Sequence, residues 1–250
     1  MVDFIRANCI DIDAAMVDLA GRLQPFFLIN LMQNAANDNA TDFGASREDM
    51  LAKGVIWVIS RLDIEIQTFP VLNDTILVKT WFGPVRKWLW SRYYQICRPN
   101  GEVLIQASSV WVLLDYKTRE VAIPSKLNLD LPEQMVNAPQ IMPVPPKIKC
   151  PDDMVAIGSK MPAYSDVDLN MHMNNVAYIR LLCDALPVNY FEDHAFSRLT
   201  INYLNEAHMN ECLHLHLKND GKKFYFAGTS NKQEIFTCYG TWQDAPKMIL

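Results

Sequence analysis

The residue types best suited to catalysis are concentrated in one segment, residues 166–178, which reads DVDLNMHMNNVAY. Carboxylate and imidazole groups accept and donate protons, and amide groups donate hydrogen bonds to an anion that develops during a reaction. An apolar helical pattern follows directly, and the N-terminus of a helix presents free N–H groups that favour an anion. This combination predicts an acid–base site at the start of a helix.

A structural interpretation of the same segment is that its polar residues merely begin a helix. Asn174 is a suitable N-cap, since its side chain can accept a hydrogen bond from a free N–H group of the first turn. One cap, however, requires one or two Asp or Asn residues, and the segment has five of them together with a histidine. We therefore favour a functional site, with Asn174 and Asn175 as its cap and its donors to an oxyanion.

The elements that must position this segment form an internal repeat. Residues 60–80 read SRLDIEIQTFPVLNDTILVKT, and residues 197–217 read SRLTINYLNEAHMNECLHLHL. Each has an alternating apolar run, a short break and a second alternating run, as expected for strands with one buried face. Ahead of each strand set lies a helical pattern, at about residues 26–36 and 175–186, with apolar residues at i, i+3, i+4 and i+7.

Each half is therefore predicted to have one strand, one helix and then several antiparallel strands. The predicted fold class is α+β: two tandem hotdog domains, each a long helix wrapped by an antiparallel sheet, with the two sheets side by side. Six prolines within residues 128–151 indicate an extended linker. The predicted boundaries are an N-terminal domain at 1–127, the linker at 128–151 and a C-terminal domain at 152–250.

With these elements in place, the polar segment is similar to the motif D-x-N-x-H-x-N-N-x-x-Y of acyl-acyl-carrier-protein thioesterases, which include the plant FatA and FatB enzymes and bacterial relatives. The residues that carry it are Asp168, Asn170, His172, Asn174, Asn175 and Tyr178. The first half adds family-like features: GVIWVISRL at residues 54–62, then Pro70, Asp74 and Thr80-Trp81. The resemblance implies hydrolysis of the thioester of fatty acyl-acyl carrier protein, which releases free fatty acid and ends chain elongation.

The family also has a catalytic glutamate downstream, and the matching residue here is Glu206. Many family members have a cysteine next, but this chain has Ala207, so a cysteine nucleophile at that position is excluded. The repeat supports a special role for Glu206, because Phe69 stands in its place in the first half. Likewise, Arg22 stands where His172 does. A polar set that is present in one copy only is expected of catalysis rather than of folding.

The expected catalytic set is thus Asp168, Asn170, His172 and Glu206. Asp168 could attack the thioester and form an anhydride, or Glu206 or Asp168 could activate water, with His172 orienting the water or a carboxylate. The sequence leaves these routes open. No cofactor is expected. No metal is expected either, since His214 and His216 are two residues apart but have no evident third ligand.

The N-terminal domain is expected to supply the acyl pocket, a function that the resemblance also implies. The predicted lining residues are Phe27, Leu28, Leu31, Met32 and Trp57. The expected partner is an acyl carrier protein bearing an acyl-phosphopantetheine. Because that carrier is acidic, we expect a basic docking surface, with candidates Arg86, Lys87 and Arg92, and Lys222-Lys223 as a further pair.

The composition narrows the remaining classes of function. A net charge of −5 does not suit a nucleic-acid-binding or membrane-surface protein. No apolar run approaches the ~18 residues of a membrane span, and no secretory signal is evident, so a cytoplasmic location is expected. The alternatives are an acyl-CoA thioesterase, a hotdog dehydratase and a non-catalytic acyl-binding hotdog protein. Association into a homodimer is left open.

Overall fold

The computed structural model describes residues 4–123 and 138–245 of the 250-residue chain. The first half contains β1 (Arg6–Asp11), α1 (Pro25–Asp42), α2 (Arg47–Ala52), β2 (Val55–Ile66), β3 (Thr75–Arg86), β4 (Leu89–Cys97) and β5 (Val103–Asp115). The second contains β6 (Val155–Lys160), α3 (Asn175–Asp184), α4 (Tyr190–Asp193), β7 (His194–Tyr203), β8 (Leu213–Asn219), β9 (Lys223–Ser230) and β10 (Gln233–Asp244). The order strand, helix and then several strands therefore recurs, as the sequence predicts.

The strands of the described residues form one antiparallel sheet of ten, in the order β1-β3-β4-β5-β2-β7-β10-β9-β8-β6. The two halves meet where residues 61–65 of β2 pair with residues 198–202 of β7. At this junction the carboxylate of Asp63 is fully buried. It accepts hydrogen bonds from Arg198 Nε at 3.0 Å and from Thr200 Oγ1 at 2.7 Å, so its charge is compensated. The side-by-side arrangement of two hotdog sheets is confirmed.

Both long helices pack on the same face of this sheet. Leu28, Met32 and Ala35 of α1 and Ile179 and Leu182 of α3 belong to one buried cluster that spans both halves. The sheet contributes alternate residues of its strands to that cluster, which is why the apolar alternation in the sequence is so regular. The α+β class and the helix-on-sheet architecture are as predicted.

Helix α1 continues six residues beyond the predicted end at Ala36, and the reason is a buried polar contact. Arg92 of β4 donates from Nη1 to Asn39 Oδ1 at 2.8 Å, and both residues are almost completely buried. The guanidinium also lies 3.8 Å from the ring centroid of Phe82. Apolar periodicity could not predict a helical turn whose inward residue is an asparagine.

The same contact corrects the predicted docking surface. Arg92 was expected to contact an acidic carrier, but only 3% of the residue is exposed. Burial lowers the pKa of its guanidinium to about 10. The prediction is therefore wrong for Arg92, since both faces of β4 are covered at this point. Arg86 and Lys87 lie at the β3–β4 hairpin and are exposed, as are Lys222 and Lys223.

Residues 138–151 of the predicted linker run across the sheet face opposite the helices without forming a helix or strand. Backbone carbonyls of this stretch accept hydrogen bonds from the sheet, from Trp81 Nε1 to Pro139 at 2.9 Å and from Ser108 Oγ to Pro143 at 2.7 Å. Residues 128–137 lie outside the described residues, and the predicted domain boundaries stay predictions. In residues 4–123 and 138–245, no helix is both long and apolar enough to cross a membrane.

Candidate active site

The polar segment forms a tight backbone turn that ends at helix α3. The amide of Asp168 donates to the carbonyl of His172 at 3.0 Å, and the amide of Met171 donates to the carbonyl of Asp168 at 3.0 Å. Met171 closes the turn with a positive φ of 63°. The side chain of Asp168 reinforces the turn, because Oδ1 accepts from the amide of Asn170 at 2.8 Å. This turn fixes the positions of Asp168, Asn170 and His172 relative to one another.

Buried Asp166 anchors the turn to the rest of the domain. Its backbone carbonyl accepts from the amide of Asn174 at 2.7 Å, and its Oδ2 accepts from the amide of Ala163 at 2.7 Å. Burial would raise the pKa of Asp166, but the Ala163 amide and the cations Arg180 and Lys160 hold that pKa below its ordinary value. Its carboxylate is thus committed to structure.

Helix α3 begins as the sequence predicts. Asn174 is the N-cap, and its Oδ1 accepts from the amide of Val176 at 3.0 Å. Asn175 is the first residue of the helix, and its carbonyl accepts from the hydroxyl of Tyr203 at 3.2 Å. Tyr178, the last residue of the motif, is buried, and burial raises the pKa of its hydroxyl. We assign Tyr178 to packing beneath the turn.

Glu206 lies beside His172, so the structure brings together two residues of the expected catalytic set. Its Oε2 is 3.3 Å from His172 Nε2, and the backbone holds the pair in register because the amide of Met173 donates to the carbonyl of Ala207 at 2.9 Å. Burial of the imidazole, which disfavours the charged form, lowers the pKa of His172, although the carboxylate of Glu206 acts in the opposite direction. The neutral form of the imidazole is therefore favoured at pH 7, and its Nε2 lies 3.3 Å from a carboxylate oxygen.

Two arginines of the first half also contact the site, and neither was predicted from the sequence. Arg119, in the turn after β5, makes an ion pair with Oε1 of Glu206. Arg47, the first residue of α2, donates from Nη2 to Asn170 Oδ1 at 3.4 Å. Arg119 and Glu206 are 87 positions apart in the chain, and Arg47 and Asn170 are 123 positions apart. No local sequence pattern signals such contacts, because they depend on how the two halves meet.

One group of side chains in the site could also hold a metal ion. His172, Glu206 and His208 each offer a ligand atom, and the three atoms lie within 4.8 Å of one another. The rings of His172 and His208 are 4.6 Å apart. The guanidinium of Arg119 already compensates the charge of Glu206, which opposes the approach of a divalent cation. This compensation favours acid–base roles for these groups, and those roles stay predictions.

The first half contains the same turn with different side chains. The amide of Asp18 donates to the carbonyl of Arg22 at 2.8 Å, and the amide of Leu23 donates to the carbonyl of Pro70 at 2.8 Å. These bonds match those of Asp168 with His172 and of Met173 with Ala207. Arg22 thus occupies the place of His172, as the repeat predicts, and a salt bridge between Arg22 and Asp18 stands where the expected catalytic set lies in the second half.

The predicted acyl-pocket residues divide into two groups. Trp57 lines a cavity of about 30 Å³ together with Ala36 and Ala40 of α1. Its Nε1 donates to the carbonyl of Ala45 at 3.1 Å, two residues before Arg47, so the cavity adjoins the elements that contact Asn170. The other predicted residues belong to the central core: Leu28, Leu31 and Met32 are buried, and Phe27 packs against them in part.

Two family models match the chain. Residues 7–126 match the model of the acyl-ACP thioesterase N-terminal domain, and residues 155–243 match that of the acyl-ACP thioesterase C-terminal domain. These matches together include all four residues of the expected catalytic set.

Two similar sequences are plant proteins. The FATB3 acyl-[acyl-carrier-protein] hydrolase of Cuphea viscosissima is 29% identical over 203 residues, which are 74% of this chain and 48% of that protein. The palmitoyl-acyl carrier protein thioesterase of Gossypium hirsutum is 32% identical over 176 residues, which are 66% of this chain and 41% of that protein. The chain therefore spans about half the length of these relatives.

Solved structures share the whole architecture. An acyl-ACP thioesterase from Bacteroides thetaiotaomicron superposes with a TM-score of 0.88 at 23% identity, covering 96% of this chain and 98% of that one. The 12:0-ACP thioesterase from Umbellularia californica gives a TM-score of 0.82 at 20% identity, with 98% and 99% covered. At these identities the likeness is one of fold.

Proposed function

Because the chain belongs to the acyl-ACP thioesterase family, we propose that it hydrolyses the thioester of a fatty acyl-acyl carrier protein, releasing a free fatty acid and ending chain elongation. The observation that carries this proposal is the contact of His172 Nε2 with Glu206 Oε2 at 3.3 Å, next to Asp168 and Asn170, in one copy of the repeat only. Arg22 and Phe69 occupy the equivalent places in the other copy.

In the proposed reaction, water attacks the carbonyl carbon of the thioester. Glu206 accepts the proton that water loses, and His172, neutral at pH 7, holds the carboxylate in place. The carbonyl oxygen becomes an oxyanion that Asn170 stabilises. When the intermediate collapses, the C–S bond breaks and the leaving thiolate takes up a proton. The side-chain contacts of Glu206 with Arg119 and His172 support this role by holding the carboxylate in one position.

The alternative route, direct attack by a carboxylate, makes a different prediction for oxygen. In a single turnover in ¹⁸O-water, with enzyme in excess, direct attack by water places one ¹⁸O atom in the released fatty acid. Attack by Asp168 or Glu206, followed by hydrolysis of the anhydride at the enzyme carbonyl, places the label in the enzyme instead. Label found in the enzyme by mass spectrometry would therefore identify attack by a carboxylate, and label confined to the fatty acid is the result expected for direct attack by water.

We propose that the partner is an acyl carrier protein bearing an acyl-phosphopantetheine. The support is electrostatic, since the exposed residues Arg47, Arg86 and Lys87 present positive charge despite the net charge of −5. Such a surface would increase the rate at which an acidic carrier associates with the protein. The predicted cytoplasmic location stays a prediction.

A direct test is to supply purified protein with a series of acyl-carrier-protein and acyl-CoA thioesters of matched chain lengths and to follow release of free thiol. We expect a kcat/KM for the carrier substrates that exceeds that for the CoA substrates and that falls as ionic strength rises. Equal kcat/KM values for both thioesters would favour the acyl-CoA alternative. Tight binding without release of thiol would favour a non-catalytic acyl-binding protein.

A further inference from the structure

The first-half copy of the active-site turn faces a cavity much larger than the one beside Trp57. This cavity has a volume of about 360 Å³ and lies at the N-terminus of α1. Phe26 and Phe69 line it from the first half, and Leu186, Phe191 and Phe196 line it from the second. Its size is within the range of about 300–1,000 Å³ that is usual for small-molecule sites, and its walls are largely apolar.

Arg22 gives this cavity a polar group with unused hydrogen-bonding capacity. The residue lines the cavity and is 3% exposed. Its Nε and Nη2 contact Asp18 Oδ2 at 3.0 and 2.9 Å, and Nη2 also donates to the carbonyl of Phe191 at 2.6 Å. Its Nη1 is buried and has no hydrogen-bond partner among the described residues. A buried donor without an acceptor is rare in proteins and destabilising.

Asp18 leaves Nη1 of Arg22 free for a ligand, because its carboxylate contacts only other donors. Oδ1 accepts from the amides of Ala20 and Arg22, both at 2.9 Å, and Oδ2 contacts the guanidinium. The other acid on the cavity wall, Asp184, is exposed to solvent. Among the described residues that line this cavity, Arg22 thus has a guanidinium donor, Nη1, without a hydrogen-bond partner.

We propose that this cavity binds a free fatty acid, with the alkyl chain among the phenylalanines and leucines and the carboxylate accepting from Arg22. A guanidinium is the protein group that best matches a carboxylate, and each methylene placed in the apolar space is removed from water. The site lies at the start of α1, whereas the candidate active site lies at the start of α3. Binding here does not depend on the proposed hydrolysis.

The location of bound fatty acid can be tested on the whole protein by photolabelling. The probe is hexadecanoic acid carrying a diazirine at mid-chain, and the crosslinked residues are mapped by mass spectrometry. We expect labelling within residues 18–26 and 183–196. Dodecanoic acid should reduce this labelling at a concentration at least about tenfold below that of dodecanol, since the alcohol lacks the charge that Arg22 recognises. Labelling only around residues 36–57 and 166–178, or equal competition by acid and alcohol, would overturn the proposal.

Two variants test the same site by different means. Arg22→Met removes the donor, and we expect it to abolish the preference for acid over alcohol. Leu186→Trp fills the space without touching Arg22, and we expect it to reduce labelling at least about tenfold. Val155→Trp, at an exposed position on β6, is the control and should label normally. Normal labelling of a folded Leu186→Trp protein would contradict the proposal even if Arg22→Met failed to fold.

Discussion

Arg119 of the first half makes an ion pair with Glu206 of the second, so the carboxylate at the centre of the candidate active site is held by a residue 87 positions earlier in the chain. Glu206 contacts His172 through its other oxygen. The carboxylate is thus fixed between a cation from one half and a neutral imidazole from the other. The first half, whose copy of the turn lacks the polar residues, thus still contributes a side chain to the candidate site of the second half.

Removal of either proposed acid–base carboxylate should abolish most turnover. We expect Glu206→Ala and Asp168→Ala each to lower kcat/KM by about 10²-fold or more, because the reaction loses its base or nucleophile. Circular dichroism and thermal unfolding should show a folded protein in both cases. Glu192→Ala, an exposed acid on α4, is the matched control and should be fully active. Near-normal hydrolysis by folded Glu206→Ala would refute the assignment.

Arg119 should act as a positioning residue rather than as a docking residue. We expect Arg119→Met to lower kcat about tenfold and to leave KM for the carrier substrate within about twofold, because the carboxylate of Glu206 loses one of its two contacts. Arg119→Lys should restore part of kcat. Lys117→Met, an exposed cation in the same turn, is the control. A rise in KM with unchanged kcat would show instead that Arg119 binds the carrier.

The lowered pKa of His172 predicts the sign of a pH effect on stability. As the pH falls, the unfolded chain binds a proton at this residue before the folded protein does. The contribution of neutral His172 to the free energy of unfolding is therefore complete above about pH 6.5 and is lost as the pH falls through the lowered pKa. We expect wild type to lose more stability than His172→Gln between pH 6.5 and 5, measured by urea unfolding. His214→Gln, at an exposed position, should follow wild type. Parallel curves for wild type and His172→Gln would contradict this expectation.

Whether the sequence predicts a feature of this structure depends on how far apart in the chain the interacting residues are. The turn at Asp168, the cap at Asn174 and the alternating strands depend on neighbours within a few residues, and local patterns predict them. The equivalence of Arg22 with His172 follows from the repeat. By contrast, Arg47, Arg119 and the burial of Arg92 depend on contacts between distant elements, which leave no local pattern.

Two asparagines can be compared as donors to the oxyanion: Asn174, predicted from the helix cap, and Asn170, to which the proposed reaction gives this role. Asn174 caps α3 and uses its side-chain oxygen for the amide of Val176. Asn170, in contrast, is exposed on the turn and contacts Arg47 through its oxygen. Its side-chain nitrogen, Nδ2, is 3.5 Å from Asp168 Oδ2, at the limit of a hydrogen bond. Asn170 is therefore the better placed of the two to donate to an oxyanion.

Cysteine should have no catalytic role, because Ala207 stands where many family members have a cysteine. We expect Cys183→Ser and Cys212→Ser to retain at least about half of wild-type kcat/KM. Burial raises the pKa of the Cys183 thiol, which keeps it protonated and unreactive at neutral pH. Treatment with iodoacetamide should leave turnover largely intact. Complete loss of activity upon modification of a single cysteine, prevented by substrate, would contradict this prediction.

The cavity beside Trp57 should determine the preferred acyl chain length. The predicted pocket residues lie either beside this cavity or in the central core, and substitutions in each group test this prediction. Trp57→Ala should deepen the small cavity at the C-terminal part of α1 and shift the preference to longer chains. Each added methylene that becomes buried contributes ~0.8 kcal/mol, or about fourfold in kcat/KM. Ala36→Leu should narrow the same cavity and shift the preference to shorter chains. The measurement is kcat/KM over a series of acyl-carrier substrates of increasing length.

The control for this experiment is a large residue of the central core. Leu31→Ala should lower the free energy of unfolding by about 2–5 kcal/mol, since it leaves a space among packed side chains. If Leu31 only fills the core, its profile of chain lengths will match that of wild type. If Leu31→Ala also shifts the profile towards longer chains, the pocket extends between the helices, as the predicted set of Leu28, Leu31 and Met32 implies. An unchanged profile in both Trp57→Ala and Ala36→Leu would place the pocket elsewhere and leave the first half as a scaffold that supplies Arg47 and Arg119.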